Sequence, residues 1–329
     1  MGSYNLLILS VGRRVELVQC FGNAARRLGI DSLIVGGDCS DMAPALYFAD
    51  RRRILPRISS PAYVDSIINA CNQNDIRLIV PTIDTELLLL SRNREEIESQ
   101  TNAKVLISDE SVVEICSDKI NTQKFLEANG FRVPHLYTED ELDQGDLTFP
   151  LFIKPKAGSS SIDAYKIHNE EELRAYRSII ESAIVQDFVE GEEFTIDAFL
   201  DFDCNVITIV PRYRIAVRSG EISKGRIARD REIIDDIKKL LMLLKPIGQI
   251  TVQCIKTMEG IKYVEINPRF GGGAPMSISS GADSCENLYR LLMGEELRYS
   301  EDYQDHLTFL RFDSSICLDE KMELVKVEI

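Results

Sequence analysis

Apolar and polar positions over the first 115 residues fall into short apolar runs separated by stretches of helical period. Runs at 6–11, 32–36, 53–55, 77–80 and 104–107 read as strands. Between them, 15–28, 62–72 and 85–98 space their apolar residues as helices do, and Gly29 stops the first of these. A short helix follows the last strand. This order predicts a doubly wound parallel sheet over residues 1–115, whose ligands would bind at the carboxyl ends of the strands. Those ends carry Gly12, Arg13 and Arg14, then Gly37 and Asp38, then Asp84 and Glu86. Arg13 and Arg14 suit a substrate carboxylate or phosphate, or else a solvated first turn. Asp84 suits a helix cap and Glu86 a first-turn acid, or both belong to a substrate site.

The pattern changes near Ser117. A helix at 119–128 ends at Asn129-Gly130, and a strand at 151–154 runs into Lys154-Pro155-Lys156-Ala157-Gly158-Ser159-Ser160-Ser161. Small residues there would offer backbone N–H groups to phosphate, with Lys154 and Lys156 adding charge. No G-x-x-x-x-G-K-[ST] occurs, and a strand at 164–167 makes this a hairpin loop. A strand at 183–186 then meets Gln186, Asp187 and Phe188, where backbone groups could hold an adenine. Glu193 follows in an acidic turn before alternating strands at 195–200 and 206–212. The predicted divisions are 1–115, a small lobe at 116–189, a larger lobe at 190–310 and a tail at 311–329.

The most informative stretch is Tyr263-Val264-Glu265-Ile266-Asn267-Pro268-Arg269-Phe270 and the glycines that follow. Strand alternation puts Glu265, Asn267 and Arg269 on one face and Val264 and Ile266 on the other. The run at 249–256 is the partner strand. A three-residue loop of Met258, Glu259 and Gly260 pairs Thr257 with Ile261, and hence Gln253 with Glu265, about 5 Å apart at Cβ. One carboxylate and two amide oxygens then converge, a donor set for Mg²⁺, which completes its octahedron with water and phosphates. The alternative is an edge hairpin with a solvated polar face.

Composition narrows the classes. A formal charge of −15 and a pI near 4.8 argue against nucleic-acid binding. No run approaches the about 18 apolar residues of a membrane span, so a cytoplasmic location is expected. Eight cysteines without a C-x-x-C pair suggest neither zinc nor a disulfide framework. The first strand's turn has one glycine where a dinucleotide fold needs several, which argues against NAD or NADP. Arg212, Arg214 and Arg218 alternate along one strand and Lys224 follows, either for an anionic ligand or as a solvated face. The helix at 231–244 is core packing.

Together these residues resemble the ATP-grasp superfamily, and most closely single-module proteins similar to one half of the carbamoyl-phosphate synthase large subunit. The resemblance covers residues 4–310. It implies an α/β fold: a doubly wound pre-ATP-grasp sheet followed by a two-lobed α+β ATP-grasp module. It further implies Lys119 and Lys154 as phosphate-binding cations and Ala157 to Ser161 as the lid loop. Gln186, Asp187 and Phe188 would form the adenine connector, and Glu193 would be the ribose acid. Gln253, Glu265 and Asn267 would be metal ligands and Arg269 would steady the transferring phosphoryl group; Lys224, from its place in the basic cluster, is expected as a further catalytic cation. The expected cofactors are ATP with Mg²⁺, or Mn²⁺ in its place. The expected partners are a small-molecule carboxylate and an amine, met by Arg13, Arg14, Asp84, Glu86, Arg212 and Arg214, with neither nucleic acid nor membrane and a homodimer as the assembly considered. The implied activity is acyl-phosphate formation and coupling to an amine. Phosphorylation of bicarbonate or carbamate, and a nucleotide-binding module without turnover, are the alternatives.

Overall fold

The computed structural model describes residues 3–156, 163–218 and 220–325. The N-terminal sheet is built from β1 (Asn5–Ile8), β2 (Ile34–Asp38), β3 (Arg51–Ile54), β4 (Ile76–Val80) and β5 (Lys104–Val105). They lie in the order β3-β2-β1-β4-β5, every pairing parallel. Helix α1 (Val15–Leu28) covers one face, its C-cap Gly29 left-handed at φ 64°. On the other side lie α2 (Tyr63–Asn74), α3 (Asp84–Arg92) and α4 (Arg94–Gln100). A single helix was expected at 85–98. Asn93 divides it, because its Nδ2 donates to the Leu89 carbonyl at 2.7 Å and serves the chain as a local backbone partner.

Two short helices, α5 (Glu110–Ser117) and α6 (Lys119–Ala128), lead out of this sheet. The predicted boundary put α6 in the small lobe, but it packs elsewhere. Leu126 and Phe131 join the core of the large sheet, and the Tyr263 N–H donates to the Arg132 carbonyl at 2.9 Å. The small lobe holds α7 (Glu139–Gln144), β6 (Leu151–Pro155), β7 (Tyr165–Ile167), α8 (Glu170–Ile179) and β8 (Ala183–Asp187). Its sheet runs β7-β6-β8, and Leu151, Ile153, Leu173 and Val185 form its own core.

The large lobe is an antiparallel sheet in the order β13-β12-β9-β10-β11-β14. Its first strands are β9 (Glu192–Leu200), β10 (Val206–Arg218) and β11 (Glu221–Ile227). Helix α9 (Arg231–Leu244) then buries Ile233, Ile237, Leu240 and Leu244 against one face. After it come β12 (Gly248–Thr257), β13 (Gly260–Asn267), α10 (Ala274–Ser279), α11 (Ser284–Leu292) and β14 (Thr308–Leu310). The chain beyond 310, expected as a tail, begins as a continuation of this sheet: the Arg311 N–H donates to the Ser223 carbonyl at 2.9 Å. A last small ladder joins β15 (Cys317–Leu318) and β16 (Leu324–Val325).

The N-terminal sheet and the large lobe share one apolar core. Phe270, immediately after Arg269, meets the Phe21 ring of α1 edge to face at 5.8 Å, and Tyr289 of α11 meets it at 6.1 Å. The position of Arg269 thus depends on the N-terminal domain as much as on its own strand. Among the described residues no helix is long and apolar enough to cross a membrane, and all eight cysteines are free thiols.

Candidate active site

The β12–β13 hairpin brings Gln253 opposite Glu265 and Thr251 opposite Asn267, by a route the sequence did not reveal. The loop has two residues, Met258 and Glu259, and Thr257 pairs with Gly260, whose φ of 120° only glycine adopts readily. That register alone would misalign Gln253 and Glu265. A β-bulge between Gln253 and Cys254 leaves Val264 as the extra residue and restores the pairing. Three cations then lie within electrostatic reach of Glu265. Burial pulls the Lys154 ammonium down to about 8, with Glu265 opposing, and the side chain is only 6% exposed. Burial also lowers Lys119, opposed by Glu265, Asp84 and Asp118. Arg214 is lowered by burial as well, with Glu193 and Glu265 opposing.

Arg214, expected at the substrate, stands instead against Gln253 and Glu193, which were expected at the metal and the ribose. Its Nη1 donates to Gln253 Oε1 at 3.1 Å, and its Nε lies 3.3 Å from Glu193 Oε1. Gln253 is therefore engaged by a cation through the same oxygen a metal would use. No group of three or more His, Cys, Asp or Glu that could hold a metal occurs among the described residues. The donor set of Gln253, Glu265 and Asn267, with its single carboxylate, fits a hard cation that arrives with phosphate oxygens of its own.

The connector between the lobes differs from expectation in its backbone groups. The Asp187 N–H donates to the His135 carbonyl at 3.0 Å and the Phe188 N–H to the Pro150 carbonyl at 3.4 Å, since β8 is laced to the segment before α7. Gln186 is buried, its Nε2 donating to Gln123 Oε1 at 2.8 Å. Asp187 Oδ1 accepts from the Tyr137 hydroxyl at 2.9 Å. Lys156 is paired with Asp118, the N-cap acid of α6, at 3.0 Å. The remainder of the expected lid loop, Gly158, Ser159, Ser160 and Ser161, lies outside the described residues.

At the carboxyl ends of the N-terminal strands the candidates separate. Glu86 has no exposure: it accepts from the Thr82 N–H (2.9 Å), Ser10 Oγ (2.7 Å) and the Tyr63 hydroxyl (3.0 Å). It clamps β1 to β4 and does not face a substrate. Asp84 is the first residue of α3 and not its cap, and its Oδ2 accepts from Arg269 Nη2 at 2.6 Å across the domain interface. Asp84 Oδ1 and Arg269 Nε are buried without hydrogen-bond partners among the described residues. Arg212, expected at the substrate, is 1% exposed and grips Asp197 with two bonds. Lys224, expected as a catalytic cation, is exposed on β11, paired between Ala216 of β10 and Leu310 of β14, and Arg218 pairs with Asp313 in solvent. Bulges in β10 at Arg214–Val217 break the alternation that would have kept Arg218 with its neighbours.

A cleft of about 160 Å³ opens beside these strand ends, lined among others by Ser10, Gly12, Arg14, Glu221, Gly272 and Arg311. Ser10 and Gly12 both have positive φ (49° and 43°), which turns the loop sharply enough to project Arg13 and Arg14. Glu221 and Arg311 escaped the sequence reading. The signal for Arg311 was the alternating Thr308-Phe309-Leu310-Arg311, which extends the sheet past the expected end of the lobe.

Comparison with known proteins agrees with this architecture. Residues 6–106 match the family model of the PylC-like N-terminal domain, and residues 116–273 match that of the ATP-grasp domain. A carbamoyl-phosphate synthase of Methanobrevibacter smithii is 27% identical over 213 residues, 63% of this chain and 55% of that protein, so the match spans about half of the relative's length. D-alanine–D-alanine ligase B of Clostridium perfringens is 24% identical over 281 residues, 77% of this chain and 91% of that one. The biotin carboxylase domain of Hydrogenobacter thermophilus 2-oxoglutarate carboxylase, solved with MgADP and bicarbonate, superposes with a TM-score of 0.72 at 16% identity, covering 94% of this chain and 74% of that one. That likeness is one of fold.

Proposed function

Because the chain belongs to the ATP-grasp superfamily, we propose that it is an ATP-dependent ligase that activates a small carboxylate as an acyl phosphate and couples it to an amine, releasing ADP and phosphate. The observation that carries this reading is Glu265 opposite Gln253, with Lys119, Lys154 and Arg214 within electrostatic reach. One carboxylate among three cations suits a polyphosphate with its metal better than either alone.

In this reading Lys119 and Lys154 bind phosphate oxygens, and Lys154 gains most, because a buried ammonium with no ion pair among the described residues is stabilised by an incoming anion. Glu193, half exposed beside Arg214, accepts ribose hydroxyls. Glu265, with Asn267 and Gln253, would hold Mg²⁺, which when bound neutralises charge on the phosphates as the phosphoryl group moves. Arg269, aimed by Asp84, keeps its Nε for an oxygen of the reacting groups. No side-chain nucleophile is needed, since the carboxylate substrate attacks phosphorus directly.

The test is release of ADP across a panel of amino acids, hydroxy acids and bicarbonate with amine acceptors, with Glu265→Gln as control. The expected result is Mg²⁺-dependent turnover for at least one pair, reduced at least about a hundredfold in the variant while its melting temperature holds. Stabilisation by NADPH, and none by Mg-ATP or Mg-ADP, would overturn the reading.

A further inference from the structure

Three arginines from distant parts of the chain converge on one carboxylate. Glu221 Oε1 lies 3.5 Å from Arg14 Nη1, and Glu221 Oε2 lies 3.2 Å from Arg311 Nη1 and 3.8 Å from Arg13 Nη2. Arg14 follows β1 and Arg311 follows β14, so the group exists only because the two domains pack together. Gly272 lets the backbone approach it: a Cβ there would stand 2.6 Å from Arg14 Nη1 and 3.0 Å from Glu221 Oε1. The ion cluster borders the cleft of about 160 Å³. At about 30 Å³ per water, that is room for roughly five waters, or for a carboxylate on a short chain.

The charge there is unbalanced. The Arg14 side chain is 19% exposed, and burial together with Arg269 and Arg311 presses its guanidinium below its ordinary value, with Glu221 and Asp84 pulling the other way. Burial alone would raise the Glu221 carboxyl, yet Arg14, Arg311 and Arg13 hold it below the usual carboxylate range. The other acids near Arg311 are Glu16, at 3.7 Å and more than half exposed, and Asp313, exposed and paired with Arg218, and solvent screens both. Glu221 itself begins β11 directly after Gly220, whose φ of 74° belongs to the turn from β10. It sits at a hairpin end and not in the middle of a ladder.

Building on the ligase reading, we propose that this cleft binds the oxyanion group, carboxylate or phosphate, of the acceptor substrate, and that Glu221 is an internal stand-in displaced from Arg14 and Arg311 when that group enters. Glu221 then sets specificity. A neutral molecule gains nothing from the arginines and leaves Glu221 in place, whereas an oxyanion exchanges one carboxylate for another at little cost in lost ion pairing.

Calorimetric titration of wild type, E221Q, R311A and R14K tests this, with acetate, succinate and inorganic phosphate as probes at constant ionic strength and Mg-ADP as a separate titrant. Removing an internal competitor should tighten binding of at least one oxyanion about tenfold in E221Q. R311A should lose that binding. R14K, which keeps the charge but not the two-pronged donor, should lose it too and covers the case in which R311A does not fold. E221Q should melt below wild type and recover with the oxyanion; a merely structural Glu221 gives the lower melting temperature without recovery, which counts against the proposal. Binding of acetate or succinate alone assigns a carboxylate acceptor, and of phosphate alone a phosphorylated one. If Mg-ADP binds all variants but no oxyanion binds E221Q more tightly than wild type, the oxyanion site is overturned. If Mg-ADP fails to bind even wild type, the ligase reading falls instead.

Discussion

Asp197–Arg212 and Asp84–Arg269 are both carboxylate–guanidinium pairs of the large lobe's inner side, yet their surroundings are opposite. Both members of the first pair are 1% exposed in their side chains, joined at 2.7 and 3.1 Å, and Ser277 Oγ adds a third bond to Asp197 at 2.6 Å. The second pair is joined at 2.6 Å with side chains 10% and 26% exposed, and each member keeps one buried polar atom without a partner among the described residues. The first pair ties β9, β10 and α10 into one block. The second joins the N-terminal domain to the segment after β13 and retains hydrogen-bonding capacity beside the candidate site. Arg212 Nη1 is also without a hydrogen-bond partner among the described residues, so the two pairs differ in exposure and not in satisfaction: the first is shut inside the lobe as a strut, whereas the second is partly open beside the site, where a ligand can reach the polar atoms left over.

The largest effect should separate the two pairs. Arg212→Met leaves Asp197 charged and buried and should cost about 3–5 kcal/mol of stability in urea denaturation. Arg269→Ala leaves Asp84 with access to water, so its stability cost should be about 1 kcal/mol. Its turnover should nonetheless fall about a hundredfold, as for loss of one aimed donor. Equal destabilisation by both substitutions, or full activity of Arg269→Ala, would erase the distinction.

The sequence carried the element order well because apolar periodicity is a local property: α1, α6 and α9 begin and end where their spacing and stop signals predict. Gln253 opposite Glu265 was also legible, although a two-residue loop and a bulge produce it and a three-residue loop does not. What was not legible depends on packing between distant segments. Glu86 and Asp84 sit two residues apart in one helical turn, yet one is sealed under Tyr63 and the other reaches Arg269. Nothing in their spacing distinguishes them. Arg212 and Arg214 share a strand face, and only the position of Asp197 on β9 decides that one is interior and the other meets Gln253 and Glu193. Glu221 and Arg311 were invisible for the same reason, since their meeting requires β14 to close the sheet edge.

A smaller effect tests the intermediate case, a buried cation with no ion pair among the described residues. Burial holds Lys154 at about 8 in the folded chain against an ordinary lysine value of 10.5. The penalty for keeping it charged is therefore fully present below pH 8 and is relieved as the pH climbs to 10.5, so this group makes stability rise with pH across that window. Lys154→Met should remove that rise. Mg-ADP affinity should follow the opposite course, falling by up to about tenfold per unit above pH 8, because phosphate favours the charged form and binding must take up a proton. Calorimetry in two buffers of different ionisation enthalpy reads the proton uptake directly. An affinity flat from pH 7 to 9.5 would mean that Lys154 does not meet phosphate.

The smallest effect belongs to Gln253. Its Oε1 already accepts from Arg214 Nη1 at 3.1 Å, so a metal gains that oxygen only by competing with a guanidinium, and water can replace a neutral ligand where it cannot replace the Glu265 charge. Gln253→Ala should therefore cost about 1 kcal/mol, seen as a roughly fivefold rise in KM for Mg-ATP with kcat little changed. Arg214 loses one of its acceptors in this variant, but the Gly220 carbonyl at 3.3 Å and the Glu193 carboxylate remain to hold it. Steady-state kinetics at several Mg²⁺ concentrations give the answer. A loss that disappears at high Mg²⁺ marks Gln253 as a weak metal ligand, whereas a loss indifferent to Mg²⁺ makes its job the orientation of Arg214. A fall of a hundredfold would put Gln253 on the same footing as Glu265 and remove the asymmetry between charged and neutral donors on this strand pair.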